Sequence, residues 1–346
     1  MEKAGSSPSS STISVVIPAY NASGTIARCL EGIFRCDPPP FEVVVVDDGS
    51  EDDTVTLANG FPCTVVPMEE NRGPAAAKNR GARQARGEIL LFVDADVVLP
   101  PDAIAIVAGI FENHAEVHGV QGIYSTDEIG ESVFSIFQQF YYSYYFQRIS
   151  ENYVHIVSTW TVALRAESLR AAGGFNESYP RPTAEDEELG YRFGRLGYAI
   201  WLAKDLRVVH LIHYSFSAFC KRKFRMVEAQ IKMVLRNRKY LKTMTSNKSH
   251  HDPLVLASLV LTPLWLVAMA LSAVLPTPFA TWAWGGSFAA LTLIAIMNLG
   301  FWRFVASRRG RKTGLGVAAV TLVDYVVMAC GILWGGAGYL LLGRRY

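Results

Sequence analysis

The feature that most constrains this chain is an apolar run that ends abruptly in two acids. Residues Ile89–Val93 are all apolar, and Asp94 and Asp96 follow with one alanine between them. An unbroken apolar run of this length is typical of a strand buried on both faces of a parallel sheet. Open α/β sheets bind ligands at the carboxyl ends of their strands. Taken alone, the acid pair is better explained as a solvated strand end. Whether it has a functional role must therefore be judged from the rest of the sequence.

The same pattern occurs twice earlier in the chain. The β-branched run Ile13–Ile17 ends at Pro18, and the four valines Val43–Val46 end at Asp47. Helix-forming stretches alternate with these runs, and this succession predicts a doubly wound, parallel α/β sheet. We assign it to a first domain of residues 13–215, preceded by a polar, Ser-rich, disordered tail of residues 1–12 that lacks the apolar core of a signal peptide.

Charge is divided unevenly along the sequence. Residues 1–219 carry a net charge of −12, whereas residues 220–346 carry +14. The basic part is interleaved with long uncharged apolar stretches, so it indicates a membrane surface rather than nucleic acid.

Three apolar stretches in residues 253–346 have the roughly 20 residues that a membrane-crossing helix needs. The predicted spans are residues 254–275, 279–302 and 315–342, and Asp324 is the one charge within them. An acid in such a place is paired or functional by default. Five basic residues lie between the second and third spans, which predicts that this loop and the domain of residues 13–215 are cytoplasmic.

Residues 216–250 are predicted to form a basic amphipathic interfacial helix and a linker. Between Phe216 and Lys242 there are nine Lys or Arg and one Glu, with apolar residues at three- and four-residue spacing. Such a helix lies well on an anionic membrane surface. Arg222 and Arg225 are our candidates for binding the phosphate of a lipid, although docking to the surface explains them equally well. The aromatic stretch Phe134–Phe146 predicts a core-packing helix or, alternatively, an interfacial one.

Six segments in order resemble the family 2 glycosyltransferases, which have the GT-A fold. They are Val15–Asn21, Val45–Ser50, Arg72–Gly81, Asp94–Asp96, Gly173–Glu177 and Glu185–Leu189. The resemblance covers about residues 13–225 and extends to membrane-anchored enzymes that act on polyprenyl phosphates or other lipids.

The resemblance implies a nucleotide site and a metal site. It makes Asp48 the acceptor for a ring N–H of the base, and Asp96 the ligand of Mg²⁺ or Mn²⁺. It places Asp94 near the ribose, and His210 beside the metal or the diphosphate. The other implied nucleotide-binding residues are Pro18, Ala19, Tyr20, Asn21 and Lys78.

The resemblance also implies the catalytic groups. Asp186 matches the base of an inverting transfer, and Glu185 would orient or replace it. For each of these acids a plainer explanation exists, because acids in the first turn complement a helix dipole.

The chain departs from the family at three positions. Lys78 stands where an Arg is usual and loses the bidentate fork. Trp160 is bulky and lies near the expected donor-sugar or acceptor site, which leaves the sugar open. Cys220–Arg225 replaces the Gln-x-x-Arg-Trp motif of processive synthases, which favours transfer of a single sugar.

These observations predict an inverting, metal-dependent, non-processive transferase. Its expected partners are a UDP- or GDP-linked sugar, the membrane and a lipid acceptor, with polyprenyl phosphate the first candidate and no nucleic acid. The alternatives are transfer to a diphospholipid-linked sugar or another glycolipid, a nucleotidyltransferase, and a membrane protein that binds nucleotide sugars without turnover. Association between copies through the spans is left open.

Overall fold

The computed structural model describes residues 12–127, 130–179, 181–237 and 253–342. The chain divides into two compact units. The first comprises residues 1–128 and 149–211, and the second comprises residues 129–148 and 212–346. The predicted tail and linker lie largely outside the described residues.

The strands are β1 Ile13–Ala19, β2 Glu42–Asp47, β3 Thr64–Pro67, β4 Ile89–Val93, β5 Val97–Val98, β6 Val117–Tyr124, β7 Tyr153–Val154, β8 Thr161–Arg165 and β9 Ala199–His210. The helices are α1 Ile26–Phe34, α2 Thr54–Ala58, α3 Pro74–Gln84, α4 Ala103–Asn113, α5 Val133–Arg148, α6 Ala166–Ala171, α7 Glu185–Leu196, α8 Phe216–Arg236, α9 Pro253–Val274, α10 Thr277–Arg309 and α11 Arg311–Leu342.

The first unit is built on one sheet with the strand order β3-β2-β1-β4-β8-β6-β9-β5, and β7 pairs with β9. β1 lies between β2 and β4 and is parallel to both. Its side chains from Val15 to Ile17 are completely buried, as expected for a strand covered on both faces.

The prediction of an α/β sheet is confirmed, but the sheet is mixed rather than wholly parallel. β8 runs antiparallel to both of its neighbours, β4 and β6. A strand buried on both faces reads as a continuous apolar run in either direction, so the sequence does not distinguish the two orientations.

Helix α3 packs very closely on the sheet because it carries small residues at the points of contact. A Cβ at Gly81 would lie 2.4 Å from the Cγ1 atom of Val16. Ala75, Ala76 and Ala77 on the same helix are buried. This close approach fixes the position of the other α3 side chains, including Lys78.

The second unit contains three helices that are long and apolar enough to cross a membrane, spanning residues 254–274, 277–309 and 311–341. The second and third continue beyond the predicted apolar stretches into the basic residues between them. The aromatic helix α5 belongs to this unit, where Phe137 and Phe140 share a buried cluster with Phe219 and Phe301. These contacts agree with the prediction that the aromatic stretch forms a core-packing helix.

Asp324 of α11 has a partner that the sequence did not identify. The Nζ atom of Lys223 on α8 lies 3.3 Å from its Oδ1 atom, and the two side chains are 5% and 1% exposed. The Lys223 ammonium also lies 5.5 Å from the centre of the Tyr141 ring. A buried ion pair thus joins the amphipathic helix α8 to an apolar helix of the same unit.

Removing one member of this pair should destabilise the protein because the other charge stays buried without a counter-ion. We expect Lys223→Met to lower the free energy of unfolding by about 3–5 kcal/mol. The double variant Lys223→Met/Asp324→Leu should recover most of that loss. Thermal unfolding in detergent measures both.

The matched control is Lys232→Met, which breaks the more exposed pair between Lys232 and Glu228. It should change the free energy of unfolding by about 0.3–0.5 kcal/mol. Equal losses in Lys223→Met and Lys232→Met would contradict a special role for the buried pair.

Candidate active site

The carboxyl ends of three neighbouring strands carry half of the predicted site residues. Ala19 at the end of β1 is in register with Asp47 at the end of β2. Asp94 follows β4 on the other side of β1. Since these three strands are parallel, the segments Pro18–Asn21 and Asp47–Asp48 and the acids after β4 lie along one edge of the sheet.

The short strand β5 brings His210 beside Asp96. Val97 pairs with His210, the last residue of β9. The Nε2 atom of His210 lies 3.5 Å from the Oδ2 atom of Asp96, and the backbone carbonyl of Asp96 accepts from the N–H of Leu211 at 2.7 Å. The two predicted metal ligands, 114 residues apart in sequence, are therefore adjacent.

Asp48 is buried and already accepts two hydrogen bonds. Its oxygens accept from the backbone N–H groups of Arg72 at 2.8 Å and Gly73 at 2.9 Å. Burial raises the pKa of Asp48, although both N–H groups oppose this. Gly73 has φ 89°, a conformation that favours glycine. Asp48 thus holds the turn that starts α3.

The predicted wall of the nucleotide site follows β1. Tyr20 is 48% exposed, so its ring is accessible. The side-chain oxygen of Asn21 accepts from the backbone N–H of Glu51 at 2.9 Å, which ties this turn to the one after β2.

The acids at the start of α7 have different surroundings. Glu185 accepts from the Lys78 ammonium at 2.9 Å, with both side chains buried, and from the N–H of Thr183 at 3.0 Å. Asp186 accepts from two backbone N–H groups, those of Glu187 at 2.8 Å and Thr159 at 3.3 Å. Sequence reasoning missed the contact with Thr159 because it joins distant loops.

These surroundings move the two pKa values apart. Burial and the charge of Glu185 raise the pKa of Asp186 to about 7. Burial alone would also raise the pKa of Glu185, but the Lys78 ammonium outweighs it and lowers that pKa. Asp186 is therefore a carboxylate that gains and loses a proton near neutral pH, which suits a general base.

The acid after β4 is also perturbed. Burial and the charge of Asp96 raise the pKa of Asp94, while Lys78 opposes them.

Trp160 is buried in a short aromatic stack. Its ring centre lies 4.6 Å from that of Tyr124, which lies 5.1 Å from that of His210. The stack places Trp160 on the His210 side of the unit. The other predicted acceptor-binding residues, Arg222 and Arg225, belong to the second unit and are exposed on α8.

Asn79 is a residue of this region that sequence reasoning did not single out. Its amide donates to the carbonyl of Phe175 at 2.8 Å and to Glu177 at 2.9 Å, and its oxygen accepts from the N–H of Phe175 at 2.8 Å. The sequence feature that could have identified Asn79 is its position beside Lys78, in the same segment as Gly81.

Among the described residues, no group of three or more His, Cys, Asp or Glu side chains could hold a metal ion. A cavity of about 990 Å³ lies elsewhere in the unit, between α3, α6 and the loop around Phe175, and contains none of the predicted site residues.

The sequence model of glycosyl transferase family 2 matches residues 14–172. This segment is a family 2 glycosyltransferase domain. The match contains β1 to β8 and Asp94–Asp96, and it confirms the family that the motifs predicted. Asp186 and His210 lie beyond the matched segment.

Curated relatives are similar over part of the chain. The uncharacterized glycosyltransferase YfnE of Bacillus subtilis is 34% identical over 146 residues, which are 40% of this chain and 33% of that protein. The poly-β-1,6-N-acetyl-D-glucosamine synthase of Staphylococcus epidermidis is 32% identical over 114 residues, 32% of this chain and 28% of that protein. The aligned segments thus span about a third of each relative.

One solved structure is similar in fold. It is the mannosyltransferase PcManGT of Pyrobaculum calidifontis in complex with GDP-Man and Mn²⁺. The TM-score is 0.57 at 20% identity, with 94% of this chain and 88% of that chain covered. This likeness confirms the predicted fold class.

Removing the amide of Asn79 should loosen the attachment of α3 to the Phe175 loop. We expect Asn79→Ala to lower the free energy of unfolding by about 1–3 kcal/mol, because a buried N–H and a buried carbonyl lose their partner. Asn176→Ala is the matched control, since Asn176 accepts only within its own exposed turn. Equal thermal stability of both variants would contradict the attachment.

Proposed function

We propose that this protein transfers one sugar from a nucleotide diphosphate sugar to a membrane lipid at the cytoplasmic face. The observation that carries the proposal is the gathering of the acids Asp48, Asp94, Asp96 and Asp186 with His210 in one unit that has a glycosyltransferase fold. Residues 13–215 would form the catalytic domain, residues 216–250 the interfacial segment, and residues 253–346 the membrane domain.

The donor would lie along the edge formed by β1, β2 and β4. Tyr20 is accessible to stack on the base, and Asp48 holds the turn against which the base would rest. The expected donor is UDP- or GDP-linked, and the similar mannosyltransferase is described in complex with GDP-Man.

A divalent cation is part of the proposal. Asp96 and His210 would hold Mg²⁺ or Mn²⁺, which neutralises the negative charge of the departing diphosphate. Two protein ligands suit such an ion, because Mg²⁺ usually shares its coordination shell with waters and substrate phosphates.

Asp186 would act on the acceptor side of an inverting displacement. The acceptor oxygen forms a bond to the anomeric carbon as the bond to the diphosphate oxygen breaks. When the acceptor is a hydroxyl group, its proton passes to the Asp186 carboxylate. Trp160, in the aromatic stack with Tyr124 and His210, would border the sugar or the acceptor.

The membrane helices favour a lipid acceptor. Three helices meet the length and hydropathy required for spanning, and α8 carries the exposed cations Arg222 and Arg225. These cations suit the phosphate of a polyprenyl phosphate, which remains the first candidate. The raised pKa of Asp186 favours a second candidate, the hydroxyl group of a lipid-linked sugar, because a phosphate acceptor is already ionised and has little need of a base.

The function is tested with the full chain in detergent, Mn²⁺ or Mg²⁺ and a panel of UDP- and GDP-sugars. We expect release of nucleotide diphosphate that requires a polyprenyl phosphate or a lipid-linked sugar and is abolished in Asp96→Ala. Asp205→Ala, a change of an exposed acid on β9, should retain activity. Nucleotide binding without turnover for every donor and lipid would contradict the transferase and favour a binding protein.

Activity should depend on the ionisation of Asp186. Because the pKa of Asp186 is about 7, kcat should rise with pH up to that value and then level off. Below it the carboxyl is protonated and cannot accept a proton. For a hydroxyl acceptor, Asp186→Asn should remove this rise and lower kcat by about 10²–10⁴-fold. A small loss in Asp186→Asn would identify a phosphate acceptor.

A further inference from the structure

Lys78 is the one described cation buried among the carboxylates of the candidate site. Its side chain is 2% exposed, and its Nζ atom lies 2.9 Å from the Oε1 atom of Glu185. The ring of Phe175 covers it, with 5.4 Å from Nζ to the ring centre. A lysine so enclosed presents little surface to a nucleotide.

The position of Lys78 is fixed from both sides. On α3, Gly81 approaches Val16 of β1 closely, and Asn79 is hydrogen-bonded to Phe175. On α7, a Cβ at Gly190 would lie 2.9 Å from the carbonyl oxygen of His155. The Lys78–Glu185 pair therefore joins two helices that are each packed tightly against other parts of the unit.

The charges around this pair come from three elements. Lys78 is attracted most by Glu185 and then by Asp94, which follows β4, and by Asp186 on α7. Asp186 is repelled by Glu185 and by Glu187 of its own helix, and Lys78 is the cation that offsets them. The backbone N–H groups of Glu187 and Thr159 supply its hydrogen bonds.

Glu185 is buried and the adjacent Asp186 is half-buried. Two neighbouring carboxylates with so little access to water do not both ionise readily without a nearby cation. We propose that Lys78 is a positioning residue that keeps Glu185 ionised and allows Asp186 beside it to ionise near neutral pH at the start of α7, and that it is not a ligand of the nucleotide. Glu185 then serves as the anchor of Lys78 rather than as a substitute base. The proposal rests on the proposed function only for the role of Asp186 in transfer.

The first test measures thermal unfolding of the full chain in detergent and needs no turnover. In Lys78→Met the pKa values of Glu185 and Asp186 should rise in the folded state. The folded protein then binds more protons than the unfolded chain, so stability falls as pH rises. The difference in unfolding temperature from the wild type should widen by several degrees between about pH 5 and pH 8.5. Lys78→Arg, which keeps the charge, should show no such widening.

A difference for Lys78→Met that stays constant with pH would overturn the proposal, since loss of packing alone has no pH dependence. Because this measurement requires no substrate, it decides the charge role of Lys78 even when the proposed transferase activity fails.

The second test measures the pH at which kcat rises, with both substrates saturating. Lys78→Met removes an opposite charge beside Asp186, so this pH should increase by about one unit. Glu185→Gln removes a like charge, so this pH should decrease by about one unit. Arg86→Met is the matched control. Arg86 pairs with Glu42 in the same unit but precedes the other end of β4, so its loss should leave the rise in place.

Shifts of opposite sign separate an electrostatic role from a structural one, which would lower kcat without moving its pH dependence. Shifts in the same direction, or none in either variant, would overturn the proposal. So would a Lys78→Met variant whose only defect is weaker nucleotide binding, because that result would make Lys78 a ligand.

Discussion

The site depends on the parallel pairing of β1 with β2 and β4. This pairing aligns the ends of three strands at one edge, so that acids separated by dozens of residues come together. The strands are buried on both faces, and a shift of one residue would turn every side chain to the opposite face of the sheet. The fold therefore places the carboxylates before any ligand is present.

Such an arrangement concentrates negative charge where water is scarce, and each carboxylate is stabilised by different neighbouring groups. Asp48 accepts backbone N–H groups, Asp96 lies beside His210, and Glu185 pairs with Lys78. Burial and the neighbouring Glu185 raise the pKa of Asp186 to about 7. The same physical problem recurs in the second unit, where Lys223 accompanies Asp324.

Much of the fold and of the candidate site was predictable from the sequence. Apolar runs that end in acids indicate both the strands and the edge of the sheet at which those strands end. The family resemblance added the order of the residues and the expectation that His210 lies beside the metal or the diphosphate, and the structure places His210 3.5 Å from Asp96. The antiparallel direction of β8 was not predictable, since a strand buried on both faces reads alike in either orientation. The partners of Lys78, Asn79 and Asp324 were also not predictable, because side-chain contacts between distant segments leave no local pattern.

The most direct test is a structure of the full chain with a nucleotide diphosphate and Mn²⁺, with the ion located by anomalous scattering. Our account predicts Mn²⁺ within coordination distance of Asp96 and His210, the base beside Tyr20 and Asp48, and the Lys78–Glu185 pair intact. An ion bound elsewhere in the unit, or Lys78 released from Glu185 and directed at the diphosphate, would contradict it.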